Sequence, residues 1–281
     1  MLRALTFNNR WWIHLFILSV GLVMLYPILW LISSSFKPSN LIFTETGLWP
    51  SEVTFDNYVK GWAGIARIPF ATFFGNSFII SSMCVLGNML TCSMAAYAFG
   101  RLDFTWKKLW FAIMLVMIML PHHVTIIPQY ILFKHLNWID TYYPLTVTKW
   151  LATDSFFVFL MVQFIRGLPR ELDESATIDG CGQGQIYWRI VLPLAVPAII
   201  TTAIFTFIWT WDDFFGALLY LNTAKLYTVP LGLRLFMDST GDSSWGSLFA
   251  MSVLSLVPSM IIFFSCQKYF VEGISTSGIK G

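Results

Sequence analysis

Residues Glu171–Pro193 read ELDESATIDGCGQGQIYWRIVLP, a polar, jointed stretch in a chain that is 57% hydrophobic and 11% charged. Acids stand at Glu171, Asp173, Glu174 and Asp179, glycines at Gly180, Gly182 and Gly184, and no apolar run begins before Ile186. The pattern predicts two short helices around a glycine joint. Pro169 suits a first helical turn, where its missing N–H costs nothing. Three acids crowd the same end, where the helix dipole favours anions. Leu172, Ala176 and Asp179 fall about a turn apart, so the apolar stripe is narrow. Asp179-Gly180 reads as a turn. A second helix starts after Gly182 or Gly184 and runs through Ile186, Tyr187 and Ile190, until Leu192-Pro193 ends it. Small residues at Ser175, Ala176 and Gly180 let another backbone approach closely. On pattern alone two interpretations stay open: a solvated loop capped by acids, and a plug for a groove on a cytosolic partner.

The rest of the chain is written for oil. A soluble domain carries about 25% charged residues, more than twice the share found here. Mean hydropathy is +0.68 and aromatic residues reach 17%. A bilayer span needs about 20 mostly apolar residues. Such runs recur at about 11–34, 73–99, 109–133, 146–165, 194–219 and 246–270. The expected fold is an all-α polytopic membrane protein, one transmembrane domain over 1–281 with six transmembrane helices. The polar stretch, about 168–193, lies between helices four and five as a helix-turn-helix element. The first run is too long for a signal peptide and lacks a small-residue cleavage site, so no cleavable signal is expected. Prolines at 27, 121, 128, 197 and 258 lie in or near spans, where freed carbonyls permit kinks.

Orientation follows from the loop cations. With a cytoplasmic N-terminus, the inner segments hold Arg3, Arg10, Arg101, Lys107, Lys108, Arg166, Arg170, Arg189, Lys268 and Lys280, ten against seven outside. Acids run the other way, six inside and nine outside. Both termini are therefore expected in the cytoplasm. The segment 36–71, rich in Pro, Gly and Trp, is expected to form a short extracytoplasmic cap. A net charge of +2 is too small to suggest nucleic acid.

Beyond the pattern lies a fixed spacing. Glu174-Ser175-Ala176, then three positions, Gly180, then nine positions, Ile190-x-Leu192-Pro193 resembles the EAA coupling motif of binding-protein-dependent ABC importer permeases. Asp179 before the glycine also fits, and Ser175 replaces the usual alanine. Further stretches are similar to the maltose-type, carbohydrate-uptake permeases: Asn57-Tyr58, AAYAFGR at 95–101, Leu120-Pro121, Ile127-Pro128, YTVPLGL at 227–233 and QKYFVEGISTSGIKG at the C-terminus. One departure is Asp212, where those proteins more often carry Asn.

The resemblance implies a permease subunit in a bacterial cytoplasmic (inner) membrane, forming half of the pathway for a sugar or oligosaccharide. It implies a second related permease, two ABC ATPase subunits and an extracytoplasmic solute-binding protein as partners. Glu174, Ser175, Ala176, Asp179, Gly180, Ile190, Leu192 and Pro193 would couple to the ATPases. Leu192-Pro193 would pass ATPase closure to span five. The C-terminal GISTSGIKG is either a frayed tail or, by resemblance, a segment that reaches the ATPases. A permease for a polyol or glycerol phosphate and, from another class, an ion-coupled carrier are the alternatives.

No catalytic chemistry of the chain's own is evident. The nearest phosphate-loop candidate, GDSSWGS at 241–247, lacks the lysine after the second glycine. ATP and Mg are therefore expected on the partner ATPases, with no cofactor on this chain, which is not expected to be an enzyme. Cys84, Cys92, Cys181 and Cys266 show neither C-x-x-C nor zinc spacing, so no metal or disulfide is expected. His122-His123 point to different sides of a helix, as pathway lining or as polar residues at a kink. Few ionisable residues lie centrally in spans, which argues against a proton- or sodium-coupled carrier. Sugar recognition needs flat apolar faces beside polar groups. Gln129, Trp209, Trp211, Asp212 and Phe214 are the pathway candidates, with Asn88 and Gln163 further back, although Trp is enriched at membrane interfaces in any case.

Overall fold

The computed structural model describes residues 11–238 and 244–278. Arg3, Arg10, Lys280, the start of the 241–247 stretch, and the side chains of His122, His123 and the C-terminal tail lie outside the described residues. In chain order the helices are α1 (Trp11–Ser35), α2 (Asp56–Ala63), α3 (Phe70–Arg101), α4 (Lys107–Met119), α5 (His122–His135) and α6 (Tyr143–Thr146). A 3-10 turn, Val147–Leu151, then leads to α7 (Ser155–Gly167) and α8 (Glu171–Ile178). After these come α9 (Gln183–Leu194), α10 (Val196–Trp211), α11 (Phe214–Tyr220), α12 (Val229–Asp238) and α13 (Ser244–Gly278). Among the described residues the extended structure amounts to one isolated bridge, Ile65–Ile68.

The fold is all-α and polytopic. Four helical stretches are long and apolar enough to cross a bilayer: Trp11–Ser35, Phe70–Arg101, Tyr143–Gly167 and Trp245–Lys268. Two bent pairs bring the number to six when each counts as one span: Lys107–Met119 with Val124–His135, and Gln183–Leu194 with Val196–Trp211. The third span is thus broken, by 105°. Leu120 is extended (ψ 121°) and Pro121 follows with ψ 129°. A residue before proline is pushed out of the helical region, and proline itself donates no N–H. The final helix runs past the expected end of its span at about 270, through Gly278.

The chain forms two compact units, Met1–Ala71 with Leu233–Leu256, and Thr72–Gly232 with Val257–Gly281. In the first, the segment after α1 is tied around a lysine. Lys37 is fully buried, and its Nζ donates to the carbonyls of Glu45 and Gly47, both at 2.6 Å. Asn57 Nδ2 donates to the carbonyls of Ser35 (2.9 Å) and Lys37 (2.7 Å), while the Ser35 and Tyr58 hydroxyls pair at 2.8 Å. These bonds give the Asn57-Tyr58 pair a structural role. A Cβ on Gly246 would overlap the Asn57 amide.

The second unit is built on α3, α7, α9 and α10. Cys92, Ala96 and Tyr97 of α3 pack with Phe157, Met161 and Ile165 of α7, Ile186, Tyr187 and Val191 of α9, and Ala198 and Ile199 of α10. The apolar runs of these helices therefore bury one stripe each and leave the remainder exposed, the arrangement expected when lipid takes the place of water. The tenth helix stops at Trp211 rather than running on. Asp213 then caps α11, its Oδ1 accepting the Gly216 N–H at 2.9 Å, and a Cβ at Gly216 would overlap that carboxylate.

Candidate coupling site and membrane cavity

The polar stretch folds as two helices around a left-handed joint. Three acids occupy the first turn of α8. The helix starts at Glu171, so Pro169 precedes the first turn instead of lying in it. Its end is a Schellman turn. The Gly180 N–H bonds the Thr177 carbonyl (3.0 Å), the Cys181 N–H bonds that of Ala176 (2.9 Å), and Gly180 has φ +82°. A left-handed residue at that position closes the orphan carbonyls, and glycine adopts it without strain. Gln185 Oε1 accepts the Gly182 N–H at 3.0 Å and opens α9.

Beyond Ile186, α9 widens into a π turn over Tyr187–Val191 and continues to Leu194. Leu192-Pro193 therefore lies inside the helix, and the break falls at Ala195, with a 74° bend into α10. Pro197 accounts for this. It has no N–H for the Pro193 carbonyl, and its ring clashes with that carbonyl in a continuous helix.

The motif residues divide between two sides. Ala176 is buried with Ile186, Tyr187 and Val191, and Ile190 and Leu192 are half-buried against the same cluster. Glu174, Ser175, Asp179, Gly180 and Pro193 are exposed. Beside them stands Ile178, 86% exposed, an aliphatic knob in a polar element. The sequence signal for it was present, an aliphatic residue between the polar Thr177 and Asp179, but its outward direction depends on the helix register.

A cavity of about 470 Å³ lies among α4, α5, α7, α10 and α11. Gln129 and Trp209 line it. Trp209 packs tilted against Phe156, Phe157 and Phe205, with ring centroids 5.3–5.8 Å apart. Trp211, Asp212 and Phe214 lie outside its lining. Trp211 is buried, stacked on Phe207 at 5.4 Å and edge-on to Phe74 at 5.2 Å. Asp213, next to Asp212, lines the wall instead.

The cavity also contains an ion pair not foreseen from sequence. Lys149 Nζ contacts Asp154 Oδ2 at 2.8 Å and Oδ1 at 3.0 Å. Asn88, fully buried on α3, donates to Asp154 Oδ2 (2.6 Å) and to Thr206 Oγ1 (3.1 Å). The pair forms because Ala152 turns left-handed (φ +53°) between the 3-10 turn and α7. Gly87 gives the adjacent Trp150 ring room on α3, since a Cβ there would sit 2.8 Å from it.

Residues 87–276 match the family described as binding-protein-dependent transport system inner membrane component. The chain belongs to this family. This inner membrane component is similar to a probable ABC transporter permease protein, YurM, of Bacillus subtilis (strain 168), 32% identical over 96% of this chain and 88% of the relative. It is 32% identical to the arabinooligosaccharides transport system permease protein AraQ of Halalkalibacterium halodurans, covering 93% of each. The trehalose/maltose transport system permease protein MalG of Thermococcus litoralis is 31% identical over 93% of this chain and 94% of its own. A chain of a bacterial ABC transporter involved in the import of the acidic polysaccharide alginate shares the fold. Its TM-score is 0.82 at 21% identity, over 92% of this chain and 95% of that one. The protein is therefore a multi-pass permease component of the inner membrane, and its role is transport.

Proposed function

We propose that the chain is one permease half of an ATP-driven carbohydrate importer. Relatives named for arabinooligosaccharides, trehalose/maltose, diacetylchitobiose and galactooligosaccharides support this. In this proposal a second, related permease completes the pathway, and a solute-binding protein delivers the sugar from outside. Two ATPase subunits bind and hydrolyse ATP with Mg, chemistry that stays off this chain. The whole of 1–281 works as one transmembrane domain with both termini in the cytoplasm.

The observation that carries the proposal is the two-sided coupling element. Its inner side is packed into the membrane helices, while Glu174, Ser175, Ile178, Asp179 and Gly180 stand in solvent around a Schellman turn. An exposed edge of that kind suits the cleft of an ATPase subunit. The cavity serves as a stretch of the sugar pathway, with Trp209 as an apolar platform and Gln129 as a hydrogen-bonding partner. Asp212 and Phe214, exposed outside that cavity, belong to the rims, whereas the buried Trp211 packs the helices together.

Gly180→Trp tests the docking. Nothing lies within 4 Å of a Cβ built there, so bulk does not clash within this chain, although a left-handed non-glycine residue costs roughly 1–2 kcal/mol. Gly180→Ala, which carries the same backbone strain without bulk, is the control. ATP-dependent uptake by the complete transporter falls at least tenfold in Gly180→Trp, with normal amounts in the membrane, and much less in Gly180→Ala. Normal uptake in the tryptophan variant overturns the proposal.

A further inference from the structure

Three polar residues of α3 repeat at intervals of four, Ser93, Tyr97 and Arg101, and so share one face of the helix. All three are buried in the second unit or nearly so: Ser93 is 2% exposed, Tyr97 5%, and the Arg101 side chain 5%. Each meets the coupling element at a different height. The Ser93 and Tyr187 hydroxyls pair at 2.8 Å in the π turn of α9. The Tyr97 hydroxyl donates to Gln183 Oε1 at 2.7 Å, at the start of α9, and its ring lies 5.3 Å from that of Tyr187. Arg101 Nη2 donates to the Leu168 carbonyl at 2.9 Å, just before α8, and Nε contacts Asp173 Oδ2 at 3.1 Å.

The contacts span eight residue steps of α3, from Ser93 to Arg101, about 12 Å. They bracket the Schellman turn on both sides, so the exposed Ile178 and Gly180 sit between fastened points. Along the chain the connection is different. There α9 meets α10 through a 74° bend at Ala195, where Pro197 interrupts the backbone ladder. A bend without continuous hydrogen bonding transmits displacement poorly, whereas polar contacts from three residues of one rigid helix face transmit it well.

We infer that Ser93, Tyr97 and Arg101 are positioning residues that make α3 and the coupling element move as one body. Displacement at the Gly180 joint then reaches the second span laterally, through this ladder, in preference to the covalent route through Leu192-Pro193 into α10. The inference rests on the docking proposed above. It adds which membrane helix receives the motion.

Hydrogen exchange on the complete transporter in nanodiscs, with and without ATP and vanadate, tests it. In the wild type, trapping changes exchange at 171–187 and at the outer end of α3, residues 72–78. In Tyr97→Phe/Arg101→Gln, the response at 171–187 persists and that at 72–78 falls at least threefold. Retention of the full α3 response in the double variant overturns the ladder. If both responses vanish, Tyr97→Phe/Arg101→Lys decides. Recovery of both responses, through a restored cation beside Asp173, supports the ladder, and failure to recover overturns it. Wild-type complexes in which trapping leaves 171–187 unchanged overturn the docking proposal, and the ladder with it. A response at 171–187 with none at 72–78 overturns the ladder alone.

Discussion

Lys149 and Asp154 illustrate what a single pair does inside the membrane region. Their side chains retain 29% and 23% exposure, and Asn88 holds the carboxylate from the buried side. Removing one partner of a fully buried pair costs about 3–5 kcal/mol, because a charge is left uncompensated. Here the cost is smaller, since both groups face the cavity. Lys149→Met should therefore lower the melting temperature of the detergent-solubilised protein clearly. Lys149→Met/Asp154→Leu should lower it less than the lysine variant alone. A double variant as unstable as the sum of the singles would show that the two residues act independently. The pair also marks a limit of reading the chain. Gln129 and Trp209 stood out as a polar group and a flat ring in apolar runs, whereas Lys149 looked like an ordinary loop cation. Its partner is five residues on, brought close only by the left-handed Ala152, which no periodicity announces.

At the scale of elements, the two helices and joint of the polar stretch were legible because its acids and glycines mark a helix start and a turn. The positions of the breaks were less so. Pro193 and Pro197 each end a helix on paper, and only the π turn over 187–191 lets the first of them stay inside. The joint between α5 and α6 was not visible at all. There Asp140, itself left-handed (φ +62°), accepts the Asn222 and Thr223 N–H groups at 2.8 Å and the Thr223 hydroxyl at 2.5 Å. These bonds, the Thr223 hydroxyl first, hold its pKa below the ordinary carboxylate range. A depressed folded value means that the fastening is fully present above about pH 4, the unfolded value, and is lost as pH falls through the folded one. Exchange at the Asn222 and Thr223 amides, corrected for intrinsic rates, should be flat from pH 7 down to about 4 and rise below it. Asp140→Ala should show the raised level throughout. Protection that falls already at pH 6 would assign the latch to another group.

For the whole molecule, the governing fact is surface. Helix α1 has Phe16 at 70%, Val23 at 73% and Met24 at 73% exposure, a continuous apolar face that soluble monomers do not carry. Composition was enough to expect this, since 11% charge cannot clothe a protein in water. Orientation rests on a smaller difference, ten cations against seven. Alkaline phosphatase fused after Gly281 should be inactive, and the same enzyme inserted after Asn137 should be active. The reverse pattern would invert the proposed topology.

The broken third span bears on how the chain enters the membrane. Helix α4 has 13 residues, about 20 Å of rise, against a hydrocarbon core of about 30 Å. Neither it nor α5, with 14 residues, reaches across alone, and a 105° corner at Leu120-Pro121 leaves backbone groups that lipid cannot satisfy. During synthesis this segment therefore gains little from partitioning out of the insertion machinery by itself. Its lodging waits for α7 and α10 to emerge from the ribosome and complete the wall beside it.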